Sequence, residues 1–276
     1  MEISQHTLKS DFADFEKTDK TSGTFNSGLP DTVVIHYTAG SNALSTIHTF
    51  KESGIQASAH VVVDSDGNLT QMVPFNEIAW HAGKSSWHDR SGLNRYSIGI
   101  EIVNAGKLVK SGDTYQSWFG RTYPEEEVIK AVHRNEDQPS YWHRYNEKQI
   151  DAVFNLCKTL MSAYDIRFIL GHEEISPGRK IDPGPAFPLD KVRDRLLHAD
   201  RKSDEEDEED KPASKGIVNA SALNIRSGPS TGTDKIAPPL SRNTELKILD
   251  EQNDWYQVEV KMRGWVSGKF VKKVNP

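Results

Sequence analysis

Apolar residues cluster or alternate in four short stretches early in the chain, and each predicts a strand: TVVIHYT from Thr32, AHVVVD from Ala59, LTQMV from Leu69 and SIGIEIV from Ser97. Between the second and third, SDGN supplies a hairpin turn. The period becomes helical in three other places. SNALSTIHTFKESG opens on polar capping residues, sets Leu44, Ile47 and Phe50 on one face and stops at Gly54. NEKQIDAVFNLCKTLMSAYD and PLDKVRDRLL have the same amphipathic spacing. Strands interleaved with helices predict an α/β domain, a central mixed sheet flanked by helices.

A different pattern begins near Lys215. GIVNASALNIRSGPSTG, TELKILDEQNDWYQVEV and GWVSGKFVKKV are β-rich runs split by Gly, Pro and Asn, which predicts a small all-β barrel. The two regions are separated by residues 200–210, DRKSDEEDEED, with 2 basic and 8 acidic residues and nothing apolar to bury. Such a run repels itself into an extended tether, and its irregular spacing does not suit calcium. The expected organisation is a polar extension over 1–29, a main domain over 30–199, an acidic linker over 200–214 and the small β domain over 215–276.

Composition changes this picture little. The 276 residues are 36% hydrophobic, with a mean hydropathy of −0.64, ordinary for a soluble protein. No apolar stretch approaches the roughly 18 residues that span a bilayer. The sole cysteine, Cys157, sits at helical spacing with Phe154, Leu160 and Met161 and reads as core. One cysteine excludes an internal disulfide and a thiolate-closed structural zinc site. No basic, aromatic-interleaved nucleic-acid motif and no phosphate loop appears. Met1–Pro30 has no continuous apolar segment and does not read as a Sec signal peptide.

Candidate chemistry concentrates in GHEEISPGRKIDPGPAF, Gly171 to Phe187, together with the histidine that closes TVVIH at His36. His36 and His172 offer imidazole nitrogens and Asp182 a carboxylate oxygen. Three N/O ligands with one open position is the catalytic form of zinc. Pro177, Pro183 and Pro185 fix φ, so the connection between His172 and Asp182 can be stiff without being helical. Lys180, two residues before Asp182, projects to the same side if that stretch is extended. On the strand from Ser97, Ile98, Ile100 and Ile102 take one face, and Glu101 shares the other with Gly99 and Val103. An isolated carboxylate there lines a cleft, meets a cation, or marks an exposed edge strand. Read singly, a strand-end histidine, an aspartate before proline and a lysine are ordinary core, turn and surface residues; their joint spacing makes the case.

These residues carry a resemblance. HYTAG after a buried strand, AWHAG at Ala79–Gly83, SIGIEIVN at Ser97–Asn104 and the Gly171–Phe187 loop resemble the zinc-dependent N-acetylmuramoyl-L-alanine amidases of the type 2 family, relatives of phage T7 lysozyme-type amidases and peptidoglycan recognition proteins. The similarity spans about residues 30 to 197. It implies one zinc per chain on His36, His172 and Asp182, with Glu101 and Lys180 as the catalytic pair. Zinc would lower the pKa of a water from about 15.7 to about 7, Glu101 would carry the proton to the leaving amine, and Lys180 would stabilise the developing negative charge. Where the T7 branch has a catalytic tyrosine, this chain has Ala59, which leaves proton transfer to Glu101. The resemblance also places His81 near the substrate, although a packed histidine bonded to backbone fits equally; His60 and Trp118 are further substrate candidates.

Ala105–Arg144 is longer than in the shorter amidases and rich in aromatics, among them Tyr115, Trp118, Phe119, Tyr123, Tyr141 and Trp142. Such rings could stack on sugars or form a satellite core over the sheet. LNIRSGPS, DWYQVEV and GWVSGKFV resemble a bacterial SH3-like domain, which implies wall targeting; Trp255 and Trp265 could equally fill the core that so small a domain needs. The expected activity is hydrolysis of the amide between the lactyl group of N-acetylmuramic acid and L-alanine, in peptidoglycan or muropeptides, by a monomer. The alternatives are a non-catalytic peptidoglycan-recognition protein and a cytosolic muropeptide-recycling amidase. The expected site of action is the cell wall, an extracellular or a periplasmic space, by an unidentified export route, or else the cytoplasm until lysis.

Overall fold

A computed structural model of the chain describes residues 1–197, 215–228, 233–252 and 255–260. The chain divides into two compact units, Met1–Lys202 and Ser203–Pro276.

The first unit is built on a six-stranded mixed sheet in the order Phe168–Gly171, Thr32–Tyr37, Ser97–Ile102, Val61–Val63, Leu69–Gln71, Ala13–Phe15. The first four strands are mutually parallel, and Val61–Val63 turns back antiparallel onto Leu69–Gln71 through the expected hairpin. Ile98, Ile100 and Ile102 join Val33, Ile35, Val61 and Val63 on one face, where Val153, Leu156, Cys157 and Leu160 of the helix Glu147–Ala163 cover them. Burying each such side chain contributes about 1.5–3 kcal/mol, so this face is the unit's main source of stability. Cys157 belongs to that core, and burial pushes its thiol up to about 12.

Local signals set the helices. Asn146 and Gln149 form a reciprocal capping box at the start of Glu147–Ala163, and Asn42 accepts from the Ser45 amide at the start of Ala43–Lys51. Ile47 and Phe50 pack inward, but Leu44, expected on the same face, is 71% exposed. It lies in the first turn, with no neighbouring layer to cover it. The connection from His172 is partly helical: His172–Ile175 forms one helical turn before the proline-rich loop.

Two segments take on structure that the hydrophobic pattern did not announce. The polar residues 1–29 contribute four short strands, of which Ala13–Phe15 pairs in parallel with Leu69–Gln71 at the sheet edge. Residues 105–144 fold into a five-stranded antiparallel sheet in the order Thr122–Tyr123, Thr114–Gln116, Lys107–Ser111, Pro139–His143, Val128–Val132. Ala105, Leu108, Tyr115, Tyr123 and Val128 form its own small core, with Phe119 and Tyr141 packed against it. The satellite core therefore accounts for most of the aromatics. Trp142 is buried apart from that core, and Trp118 is 77% exposed.

Within the second unit, Lys215–Ile217, Glu245–Gln252 and Trp255–Glu259 pair as a three-stranded antiparallel sheet, and Ala222–Leu223 pairs with Leu240–Ser241. This is the expected all-β character. Trp255 is half-buried, and Trp265 lies outside the described residues.

Candidate active site

His36 ends the strand Thr32–Tyr37, and Glu101 is its partner in parallel register on Ser97–Ile102. Both side chains leave the sheet on the face opposite the isoleucines. His172 begins the helical turn that follows the next strand over, and Asp182 arrives on the loop behind it. All four line one cleft of about 370 Å³ with Lys180, His81 and Trp80.

Three donor atoms converge there. His36 Nδ1 lies 2.9 Å from His172 Nδ1 and 3.0 Å from Asp182 Oδ2, and His172 Nδ1 lies 2.9 Å from the same oxygen. These residues are buried, and theirs is the group of potential metal-holding side chains found among the described residues. Zinc ligands at about 2.0–2.1 Å in a tetrahedron stand about 3.3 Å apart. A triangle of two imidazole nitrogens and one carboxylate oxygen with edges near 3 Å therefore fits a metal ion.

Electrostatics support this arrangement. Burial, reinforced by His172, lowers the His36 pKa to about 4, so the ring is neutral and can offer a lone pair. Burial acts to raise Asp182, but its close contacts with the His172 and His36 imidazoles outweigh it and hold the carboxyl well below the usual range. Glu101 goes the other way. Burial first, then repulsion from Asp182, push it well above the ordinary carboxylate value, with Lys180 opposing. Its Oε2 is enclosed and has no hydrogen-bond partner. A buried carboxylate oxygen left unpaired costs stability, so its place here points to a partner that binds in the cleft.

The loop carrying Asp182 is held at successive positions. The Asp182 carbonyl accepts from the Glu173 amide at 2.8 Å, and the Pro183 carbonyl accepts from the Tyr145 hydroxyl at 2.8 Å. The Gly184 amide donates to Glu173 Oε2 at 3.0 Å. Glu173 is in turn fixed by the 105–144 segment: His133 Nε2 lies 2.7 Å from Oε2 and Arg134 Nε 2.8 Å from Oε1. Trp142 packs on Gly184 so closely that a Cβ there would meet the ring at 2.8 Å. The His133–Glu173 pair is invisible to sequence reading, because the partners are 40 residues apart and carry no shared motif.

The remaining candidates separate. His60 is fully buried, with Nδ1 accepting from the Gly99 amide at 3.0 Å and Nε2 donating to the Glu77 carbonyl at 2.9 Å, so it presents no ring nitrogen to the cleft. His81 lines the cleft but is engaged with His36 and Ser97. Trp118 stands at the rim, its indole N–H donating at 2.7 Å to the carbonyl of Ala39, itself a cleft residue held at φ 49°.

Residues 26–185 match the family described as N-acetylmuramoyl-L-alanine amidase, and residues 221–272 match the bacterial SH3 domain family. The chain is similar to the N-acetylmuramoyl-L-alanine amidase AmiD of Escherichia coli, at 32% identity over 60% of this chain and 53% of that protein. It is also similar to the 1,6-anhydro-N-acetylmuramyl-L-alanine amidase AmpD of the same organism, at 33% identity over 52% of this chain and 59% of that protein. The chain thus spans little more than half the length of these relatives. A solved complex of Escherichia coli AmiD with anhydro-N-acetylmuramic acid-L-Ala-D-gamma-Glu-L-Lys is 31% identical, covers 60% of this chain and 56% of that one, and superimposes with a TM-score of 0.45.

Proposed function

On the premise that the chain belongs to the N-acetylmuramoyl-L-alanine amidase family through residues 26–185, we propose that it hydrolyses the amide between the lactyl group of N-acetylmuramic acid and L-alanine in peptidoglycan or its muropeptide fragments. The observation that carries this reading is the unpartnered Glu101 carboxylate oxygen in the same cleft as three converged metal donors. A protein that only held muropeptide would gain nothing from that destabilising group.

His36, His172 and Asp182 would hold one zinc ion per chain. When bound, it would supply Lewis acidity, activating water near neutral pH and polarising the scissile carbonyl. Glu101, kept basic enough by its surroundings to accept a proton, would take one from the attacking water at its free Oε2 and return it to the departing L-alanine nitrogen as the amide C–N bond breaks. Lys180 brings a positive charge to the cleft wall, where negative charge develops on the carbonyl oxygen. Trp118 offers an exposed indole face at the rim for a sugar ring. We assign residues 30–199 to catalysis and 215–276 to wall attachment, joined by a 200–214 tether, in a protein that acts as a monomer. Its place of work is the cell wall, in an extracellular or periplasmic space; residence in the cytoplasm until lysis is the alternative. No helix among the described residues is long and apolar enough to cross a membrane.

Mass spectrometry of products from intact sacculi and from a soluble muropeptide tests the reading. Stem peptides with free L-alanine amino termini are expected, with one zinc per chain by elemental analysis and no turnover after chelation. Cleavage at any other bond, or full activity in excess chelator, would overturn it.

A further inference from the structure

We propose that His81 is a positioning residue that sets the tautomer of His36, and that His81–Ala82 forms an outer shell for both imidazole ligands instead of touching substrate. This inference rests on the metal site proposed above.

Proton bookkeeping runs from a backbone carbonyl inward. Ser97 O can only accept, so His81 Nε2, 3.1 Å away, carries the hydrogen. The one competing partner of that nitrogen is the Ser97 hydroxyl at 3.3 Å, but its proton is committed to the Leu93 carbonyl at 2.6 Å. A neutral imidazole with hydrogen on Nε2 has a bare Nδ1. His81 Nδ1 lies 3.0 Å from His36 Nε2, so His36 must be the donor in that contact. Its own Nδ1 is then the lone pair that faces His172 and Asp182. The opposite tautomer would put a hydrogen where a metal ligand needs electrons.

Ala82 performs the same service for the second ligand. Its carbonyl lies 3.1 Å from His172 Nε2, which donates and so leaves Nδ1 free; Arg179 Nη2, 3.3 Å from the same nitrogen, spends its hydrogens on the closer Lys84 carbonyl and Ser176 hydroxyl at 2.8 and 2.7 Å. Residues 81 and 82 are themselves fixed, because both backbone amides donate to Asn94 Oδ1 at 3.1 and 2.7 Å. The His81 ring also lies directly over Gly99, where a Cβ would sit 2.3 Å from Cγ of the ring. Any side chain at 99 would push the ring away from His36. This gives Gly99 a purpose: it makes room for His81, next to a strand position that must hold Glu101 two residues on.

The test measures zinc affinity by equilibrium competition with a chromophoric chelator, without reference to turnover. His81→Ala removes the acceptor for His36 and should weaken binding by about 10–100-fold, the scale of outer-shell partners. His81→Asn returns an acceptor oxygen near the Nδ1 position and should recover most of the loss. In parallel, long-range nitrogen–proton NMR on the metal-free parent protein should find the His36 proton on Nε2. Parent-like zinc affinity in folded His81→Ala, no recovery in folded His81→Asn, or a His36 proton on Nδ1 would each overturn the inference. If the parent protein itself binds no zinc, the metal site proposed above fails, an outcome distinguishable from all three.

Discussion

Glu101 and His36 face each other across two parallel strands in the middle of the sheet. Side chains alternate along a strand, so this register brings carboxylate and imidazole into the cleft side by side, while their neighbours Ile100, Ile102 and Ile35 point into the core. A slip of one residue would turn the isoleucines outward and bury the charge, so the core that stabilises the fold also locks the site. The apolar packing on one face thus sets the geometry of the chemistry on the other.

Glu101→Gln should keep the metal and lose at least about two orders of magnitude in turnover, the typical scale of a general base. The same change should stabilise the metal-free protein in a pH-dependent way. Burial raises the folded-state pKa of Glu101 well above its ordinary value of 4.5. The folded state therefore holds this proton more tightly than the unfolded state, and the parent loses stability as pH rises from 4.5 through the folded-state value. Glutamine does not titrate, so the advantage of the variant should be small at pH 4.5 and grow as pH rises through the folded-state value. Denaturant unfolding in excess chelator checks this; a constant or shrinking gap would show that the metal-free fold does not raise the Glu101 carboxyl.

Much of this was legible in the sequence, and the gaps have physical causes. Period-two apolar runs identified the inner strands because both faces or one face of each must be buried, the capping residues before Ala43–Lys51 marked a real helix start, and amphipathic spacing marked Glu147–Ala163. His36, His172 and Asp182 could be grouped because three N/O donors recur in a joint pattern that resembles a known family, although His36 closes a strand and the other two share a loop. What stayed hidden depends on long-range partners. Ala13–Phe15 is a strand only because Leu69–Gln71 offers it an edge, and nothing local distinguishes buried His133 and Glu173 from surface charges until the 105–144 sheet brings them together. The roles of His60 and His81 likewise follow from which backbone groups their rings meet.

Glu173→Leu tests whether the 105–144 sheet supports the metal loop. It would strip His133, Arg134 and the Gly184 amide of their shared acceptor; Arg134 keeps Glu174 and Asp190, but the buried His133 ring and Gly184 amide are left unpaired. The expected cost is about 3–5 kcal/mol in unfolding free energy, accompanied by weaker zinc binding as the Asp182–Gly184 backbone loosens. A loss below about 1 kcal/mol with parent-like zinc affinity would show that the loop is held by Tyr145 and Trp142 without this network.

Trp118→Ala should leave stability within about 0.5 kcal/mol of the parent, since the ring covers no core. If the indole face receives a sugar, KM for a glycan-bearing muropeptide should rise about two- to tenfold, taking the 0.5–1.5 kcal/mol of aromatic stacking as the scale. Turnover at saturation should hold, because the contact is equal in ground and transition states. A substrate with the same lactyl amide and peptide but no sugar should show no change. Equal KM shifts on both substrates would instead assign Trp118 to ordering Ala39 and the cleft wall.

Truncation after Leu197 separates the two units. All of the proposed chemistry, from His36 to Asp182, lies in Met1–Lys202, so the shortened protein should fold, bind zinc and cleave soluble muropeptides at the parent rate. On insoluble sacculi its rate should fall. A bacterial SH3 domain that grips the wall keeps the cleft near its polymer, and a tether of this kind sustains effective concentrations up to the millimolar range without adding any contact at the site. The quantity to measure is the ratio of the rate on sacculi to the rate on soluble muropeptide, full-length against truncated, at two enzyme concentrations. A ratio that falls on truncation, and more steeply at the lower concentration, supports attachment. An unchanged ratio would demote residues 215–276 from anchor to passenger, and loss of activity on both substrates would show that they help to build the cleft.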